Sequence, residues 1–201
     1  TAGDIVFGDT GWQEYAAVPA KHLTKMPRME PMTHLLSVYG IAGLTAYFGL
    51  LHVGKPKEGE TVVVSAAAGS VGSIVGQIAK IKGCKVIGIA GGKDKCNWLT
   101  SELGFDAAVD YKDGATYKAL RAAAPKGIDV YFDNVGGDIL EACIALMNNR
   151  GRIACCGAIS QYDGVPSAHG PRGVPGLIVV KRLTMQGFIV MDYMDQSAAA
   201  L

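Results

Sequence analysis

The sequence predicts an α/β fold, a doubly wound parallel sheet of six strands with a β-rich remnant ahead of it. Three observations carry this. From Thr61 onward, short β-branched runs alternate with segments of helical periodicity, and such alternation implies parallel strands joined by crossover helices. The stretch "TVVVSAAAGSVGSIVGQIAK", Thr61 to Lys80, changes period partway, across a glycine turn. Residues 1–40 lack the rhythm altogether.

Taken in order, "GDIVF" and "WQEYAAVP" read as antiparallel strands at the edge of a second domain. "TVVVSA" is continuous and apolar, as in a strand buried on both faces. Val71, Ile74, Val75, Ile78 and Ile81 then fall at helical spacing, with Gly83 as a stop. A membrane span fits poorly, because Ser65, Ser70, Ser73, Gln77 and the glycines interrupt the run. Gly72-x-x-x-Gly76 as a membrane helix-pairing motif is the lesser alternative. Strand "KVIGIA" leads to helix "KDKCNWLTSELG", "AAVDY" to "GATYKALRAAAP", and "GIDVYFDNV" to "GGDILEACIALMNN". Strand "GRIACCGAI" is followed by the Gly/Pro-rich loop "QYDGVPSAHGPRGVPG", then "LIVVKR" and a last strand "LTMQGFIV".

Composition narrows the function. A chain of 201 residues that is 49% hydrophobic and 18% charged holds a folded core, not a disordered tail. A net charge of +1 without a basic tract argues against nucleic acid and membrane surfaces as partners. The five cysteines are odd in number and include no C-x-x-C, so free thiols in a reducing, cytoplasmic compartment are expected. Cys155 and Cys156 stand adjacent in a strand and should face opposite sides of it. The four histidines show no metal-ligand spacing. The chain has no initiator methionine and reads as cut at both ends, so by itself it is expected to be inactive.

The first strand–helix turn of a doubly wound sheet receives a dinucleotide pyrophosphate, because the helix N-terminus offers free N–H groups and a positive dipole end. Here the turn is Ala67-Ala68-Gly69-Ser70-Val71-Gly72, with Ala67 at the first glycine position of G-x-G-x-x-G. The bland alternative is a turn that only packs helix on sheet. The second strand ends in Ala90, Gly91 and Gly92, followed by Lys93 and Lys95, where a site for an unphosphorylated ribose would carry Asp or Glu. This favours NADP(H), with Asp94 read as the N-cap of the next helix. The alternative for the lysines is a solvated helix start.

With "GLTAYFGL", "GETVVVSAAAGSVGSIVGQIAKIKGCKVIGIAG", "LGFDAAVDYK", "YFDNVGGDIL" and "GRIACCGAISQY" in order along most of the chain, the sequence resembles the medium-chain dehydrogenase/reductase superfamily. More narrowly, it is similar to the zinc-independent alkenal/one oxidoreductases. It departs from relatives at "SVYGIA", where they often carry methionine near Ile41, and by one extra residue in "CNWLTSELG". The resemblance implies the tail of a GroES-like β domain over 1–40, a Rossmann domain over 41–191 and the start of a return over 192–201. It implies that Gly69, Ser70, Val71 and Gly72 bind the pyrophosphate, that Lys95 holds the 2′-phosphate with Tyr111 at the adenosine end, and that Asn134 approaches the cofactor. Gly91 borders the same end. Cys156, Gly157, Ala158, Ile159, Ser160 and Tyr162, with Phe188, Ile189 and Val190, line the nicotinamide side, which Thr45 and Tyr47 also reach. Helix packing is the alternative for Tyr47, and an ordinary loop tyrosine the alternative for Tyr162.

What the resemblance implies about activity is NADPH-dependent reduction of the carbon–carbon double bond of α,β-unsaturated ketones and aldehydes, with the cofactor ribose hydroxyl as hydrogen-bond donor to the enolate oxygen. Tyr162, by its place on the loop after the fifth strand, is the one candidate acid among the side chains there. A quinone reductase of the same superfamily and a non-catalytic NADPH-binding protein are the alternatives. Zinc-dependent members carry a cysteine ligand around Ile41. Neither Cys nor His stands there, so no metal is expected. Edge pairing of the last strand would make a homodimer.

Overall fold

The computed structural model describes residues 1–162 and 171–200. Near the N-terminus, β1 (Val6–Phe7) pairs antiparallel with β2 (Thr24–Lys25). The expected strand over "WQEYAAVP" does not form; its Trp12 and Tyr15 lie fully in solvent, with no partner strand beside them.

Helix α1 (Ile41–Phe48) runs on as a π-helix over Gly49–Gly54. It leads to β3 (Thr61–Ser65), every residue of which is buried. The units α2 (Ser70–Ile81), β4 (Lys85–Ala90), α3 (Lys93–Ser101), β5 (Ala107–Asp110), α4 (Thr116–Ala123), β6 (Ile128–Asp133) and α5 (Gly137–Leu146) follow. The series ends with β7 (Met147–Cys155), α6 (Val174–Lys181) and β8 (Thr184–Gly187). The six-stranded sheet has the order β5-β4-β3-β6-β7-β8, and each of its pairings is parallel. The chain thus starts in the middle, winds outward to β5, then returns to β6 on the other side of β3. Strand order reverses between β3 and β6, and there the carboxyl ends of the strands open a crevice.

Side chains alternate across this sheet as a strand's period requires. Val62, Val64, Val86, Val130 and Phe132 pack beneath α1, α2 and α3. Val63, Ile87, Ile89, Tyr131 and Ile153 pack beneath α4, α5 and α6. Cys155 joins the second layer and Cys156 the first, as their adjacency predicts. Gly76 is needed for this packing, since a Cβ there would lie 1.8 Å from Cζ of Phe105. Gly72 and Gly76 therefore serve contacts inside the domain, and among the described residues no helix is long and apolar enough to cross a membrane.

Three boundaries differ from the sequence reading. Strand β7 begins at Met147, so Asn148 and Asn149 belong to it and not to α5. Met147 is buried opposite Ile128, while Asn148 donates to Asp129 Oδ1 at 2.7 Å. These contacts draw the chain into the sheet early, at the cost of a register shift before Val130. The last strand shrinks to Thr184–Gly187, and "LIVVKR" is largely helical in α6. Helix α3 starts at Lys93 with Gly92 as its N-cap, so Asp94 sits in the first turn and caps nothing.

At the amino edge of the sheet, Arg152 donates to both oxygens of Glu60, to Gly54 O at 3.0 Å and to Lys55 O at 3.1 Å. Burial would raise the Glu60 carboxyl. The hydrogen bonds from Arg152 and from Lys57 N–H outweigh it and hold the group below its ordinary range. We expect Glu60→Gln to lower stability by about 1–3 kcal/mol at neutral pH. A depressed folded-state value means that this contribution is present above the unfolded value and is lost as pH falls through the folded one. Urea midpoints of parent and variant should therefore converge below about pH 4.

Candidate active site: a cleft at the switch point

Between the carboxyl ends of β3, β4 and β6 lies a cleft of about 590 Å³, lined along one side by Ala66, Ala68, Gly69, Ala90 and Gly91. Lys95 and Tyr111 close one end, and Val135, Gly136, Ile159 and Ser160 lie at the other.

Glycine chemistry shapes the first wall. A Cβ on Gly72 would come within 2.4 Å of Ala66 O and 2.9 Å of Ala67 Cα, so α2 packs on this turn only with glycine there. The residue that takes the left-handed conformation is Ala66, with φ +48°, one position before the Ala67 that the motif alignment picks out. No side chain caps the start of α2. Its first N–H groups, at Ser70 and Val71, lie beside the cleft-lining Gly69. An uncapped N-terminus at the floor of an open cleft fits an anionic dinucleotide.

The second wall depends on Asp133, which is 2% exposed. Its Oδ1 accepts from Tyr131 Oη at 2.7 Å, Gly136 N at 2.9 Å, Val135 N at 3.0 Å and Ser65 Oγ at 3.3 Å. Asn134 ties the same strand end to β3, donating through its backbone N–H to Ser65 Oγ at 2.9 Å and through Nδ2 to Ser65 O at 2.8 Å. The Asp133 carbonyl accepts from Cys156 N and Gly157 N, and the Val135 carbonyl from Ser160 N and Oγ. Burial, with the Asp133 charge nearby, pushes the Cys155 and Cys156 thiols up to about 11 and those of Cys143 and the Tyr131 phenol upward as well. Protonated thiols at neutral pH are poor nucleophiles.

At the adenosine end, Gly91 and Gly92 follow β4 directly, and the first carboxylate after them, Asp94, lies in the exposed first turn of α3. Asp110 reaches over from the end of β5 instead. Its Oδ1 accepts from Gly92 N at 2.9 Å and Lys112 N at 3.0 Å, and these bonds hold its carboxyl below the ordinary range.

Of the residues singled out in the sequence, Gly69, Gly91, Lys95, Tyr111, Ile159 and Ser160 line the cleft. Gly72 lies buried beneath it. Gly157 and Ala158 stand just behind its wall, next to Asn134 O and Gly136 respectively. Tyr162 is 67% exposed and folds over its own loop, its Oη accepting from Ala158 N at 3.2 Å. Cys156 and Phe188 pack into the core beneath α1, Phe188 filling the space that Gly49 leaves. Val190 is buried against Leu44 and Phe48, while Ile189 points outward. Thr45 is buried and donates to Ile41 O at 2.6 Å. Tyr47 packs edge-on against Phe48, in line with its helix-packing alternative. Sequence reasoning passed over Asp133, Val135, Gly136, Asp110, Asp138 and Ile139. The pair Gly136–Gly137, with φ +73° and +54° right after a strand, was the available signal.

Strand order, glycine cradle and cleft together define a dinucleotide-binding α/β domain of the doubly wound class. The profile of the zinc-binding dehydrogenase family matches residues 70–201, and the chain belongs to that family, within the medium-chain dehydrogenase/reductase superfamily. It is 45% identical over 197 residues to the NADPH-dependent curcumin reductase of Escherichia coli, covering 96% of this chain and 57% of that protein. It is 50% identical over 194 residues to prostaglandin reductase 1 of Mus musculus, covering 94% and 58%. The crystal structure of CurA in complex with NADPH from Vibrio vulnificus superposes with a TM-score of 0.83 at 43% identity, over 89% of this chain and 55% of that one. The chain thus spans little more than half the length of the relatives it matches. The family's name implies zinc. Among the described residues no group of three or more His, Cys, Asp or Glu side chains comes together to hold a metal, and no step below is routed through one.

Removing the Asp133 carboxylate leaves the buried Tyr131 hydroxyl and two N–H groups without an acceptor. We expect Asp133→Ala to cost roughly 3 kcal/mol or more in urea unfolding, and Asp133→Asn, which keeps one acceptor oxygen, to recover part of it.

Proposed function

We propose that this chain is the cofactor-binding part of an NADPH-dependent reductase of the carbon–carbon double bond in α,β-unsaturated ketones and aldehydes. The observation that carries the reading is the composition of the switch-point cleft. A glycine cradle on an uncapped helix stands at its floor, and Lys95 and Tyr111 stand where a carboxylate would select an unphosphorylated ribose. Asp110, at the end of β5, is committed to backbone N–H groups. The names of the relatives, curcumin reductase, prostaglandin reductase and 2-alkenal reductase, support the substrate class.

NADPH, when bound, supplies the hydride. The N–H groups of Ser70 to Gly72 would hold the pyrophosphate, with Gly69 letting the backbone approach it, and Lys95 would hold the 2′-phosphate. The Val135–Gly136 and Ile159–Ser160 segments fix the far wall through Asp133. Oxygen of the substrate gains negative charge as its β-carbon accepts hydride, and a hydrogen-bond donor stabilises that charge. The cofactor ribose hydroxyl is the donor in this reading, helped by Tyr162 Oη, which stands on the loop after β7. Residues 1–40 then belong to a GroES-like catalytic domain, 41–191 to the Rossmann domain and 192–201 to the return. The substrate pocket is shared with the catalytic domain. In this reading the enzyme is a zinc-independent, cytoplasmic homodimer.

The test is NADPH oxidation by the full-length protein against enones, alkenals and quinones. Turnover of enones and alkenals well above quinones supports the reading. Preference for quinones points to the superfamily's quinone reductases, and absence of turnover with tight NADPH binding to a non-catalytic sensor.

For Tyr162→Phe we expect kcat on a good enone to drop roughly tenfold to a hundredfold with little change in KM, since the contact forms mainly in the transition state. Wild-type turnover would reduce Tyr162 to a piece of the pocket wall.

A further inference from the structure

Beside the adenosine end of the cleft stands a second cation, Lys112, that the Lys95 assignment does not use. A Cβ built on Gly91 would lie 2.9 Å from Tyr111 Cε1, 3.1 Å from Tyr111 Cζ and 3.0 Å from Lys112 Cε. The last methylene of Lys112, one bond from its ammonium, therefore rests against the cleft-lining glycine beside Tyr111. This placement is built into the backbone. Asp110 Oδ1 accepts from both Gly92 N and Lys112 N, so one carboxylate clamps the Tyr111–Asp113 turn onto the exit of β4. Among the described residues the Lys112 ammonium forms no hydrogen bond or ion pair. The other charged groups nearby are spoken for or turned away. Asp113 and Lys93 line a separate hollow between α3 and α4, and Asp94 lies in the exposed first turn of α3.

We infer that Lys112 is a specificity-determining residue that, with Lys95, grips the 2′-phosphate of the cofactor across Gly91. The inference rests on the NADPH reading above. A phosphate ester carries close to two negative charges at neutral pH, and one ammonium leaves part of that charge unmatched. Glycine at position 91 matters for the same reason, because any side chain there would push Tyr111 and Lys112 off the cleft rim.

The test uses the full-length protein and two small probes, 2′,5′-ADP and 5′-AMP, titrated by calorimetry without substrate. Parent protein should bind 2′,5′-ADP at least tenfold tighter than 5′-AMP. Lys112→Ala should weaken 2′,5′-ADP by roughly fivefold to tenfold and leave 5′-AMP unchanged, which also shows that the site is still folded. Lys112→Arg, which keeps the charge, should restore most of the loss, and Lys95→Ala provides the scale. If the parent discriminates between the probes and Lys112→Ala discriminates equally well, the Lys112 role is wrong while the NADPH reading stands. If the parent binds both probes alike, the NADPH reading fails and takes this inference with it.

Discussion

The Asp133 carboxylate is buried at the carboxyl end of β6, where an unpaired charge would be costly. It is held there by donors from three directions: a tyrosine on its own strand, a serine at the end of β3 and the two N–H groups that begin the next loop. Because those donors belong to different segments, one group ties the end of β3 to the end of β6 and to the loop that follows it. The backbone of the same residues then receives the loop after β7. Three chain segments that border the cleft are thus pinned at this point.

The opposite edge of the sheet is built differently. There carboxylates accept from backbone N–H groups at or near the strand starts. Asp129 accepts from Thr61 N at 2.8 Å, Asp106 from Val86 N at 2.7 Å, and Glu60 from Lys57 N at 2.8 Å. Each also binds a side-chain donor, Asn148, Lys80 or Arg152. The amino edge is therefore stapled shut. At the carboxyl edge the helix start carries no side-chain cap and the lining is small. A backbone left uncapped and surrounded by alanine and glycine can meet a ligand at close range, which a capped one cannot.

Small residues and charge placement act together. Gly72 and Gly69 bring α2 down onto the turn, and Gly91 lets the Tyr111–Lys112 turn fold against the end of β4. The charge selectivity proposed for the cleft thus follows from steric permission first. The Lys112 side chain reaches Gly91 only because that residue has no Cβ.

The sequence by itself determined the alternation of strands and helices, the doubly wound class, the glycine turn and the lack of a carboxylate after β4. These are local properties, set by side-chain period, β-branching and backbone freedom over a few neighbouring residues. Tertiary structure decided the rest. Whether Asn148 extends a helix or a strand turned on Met147 finding Ile128 across the sheet. Where the Phe188 and Val190 side chains pack turned on the empty space at Gly49 and on Leu44 and Phe48. The roles of Asp133 and Asp110 were illegible for the same reason. Each carboxylate acts on donors that the fold brings to it, Ser65 for one and Gly92 for the other, across sequence distances that no local pattern spans.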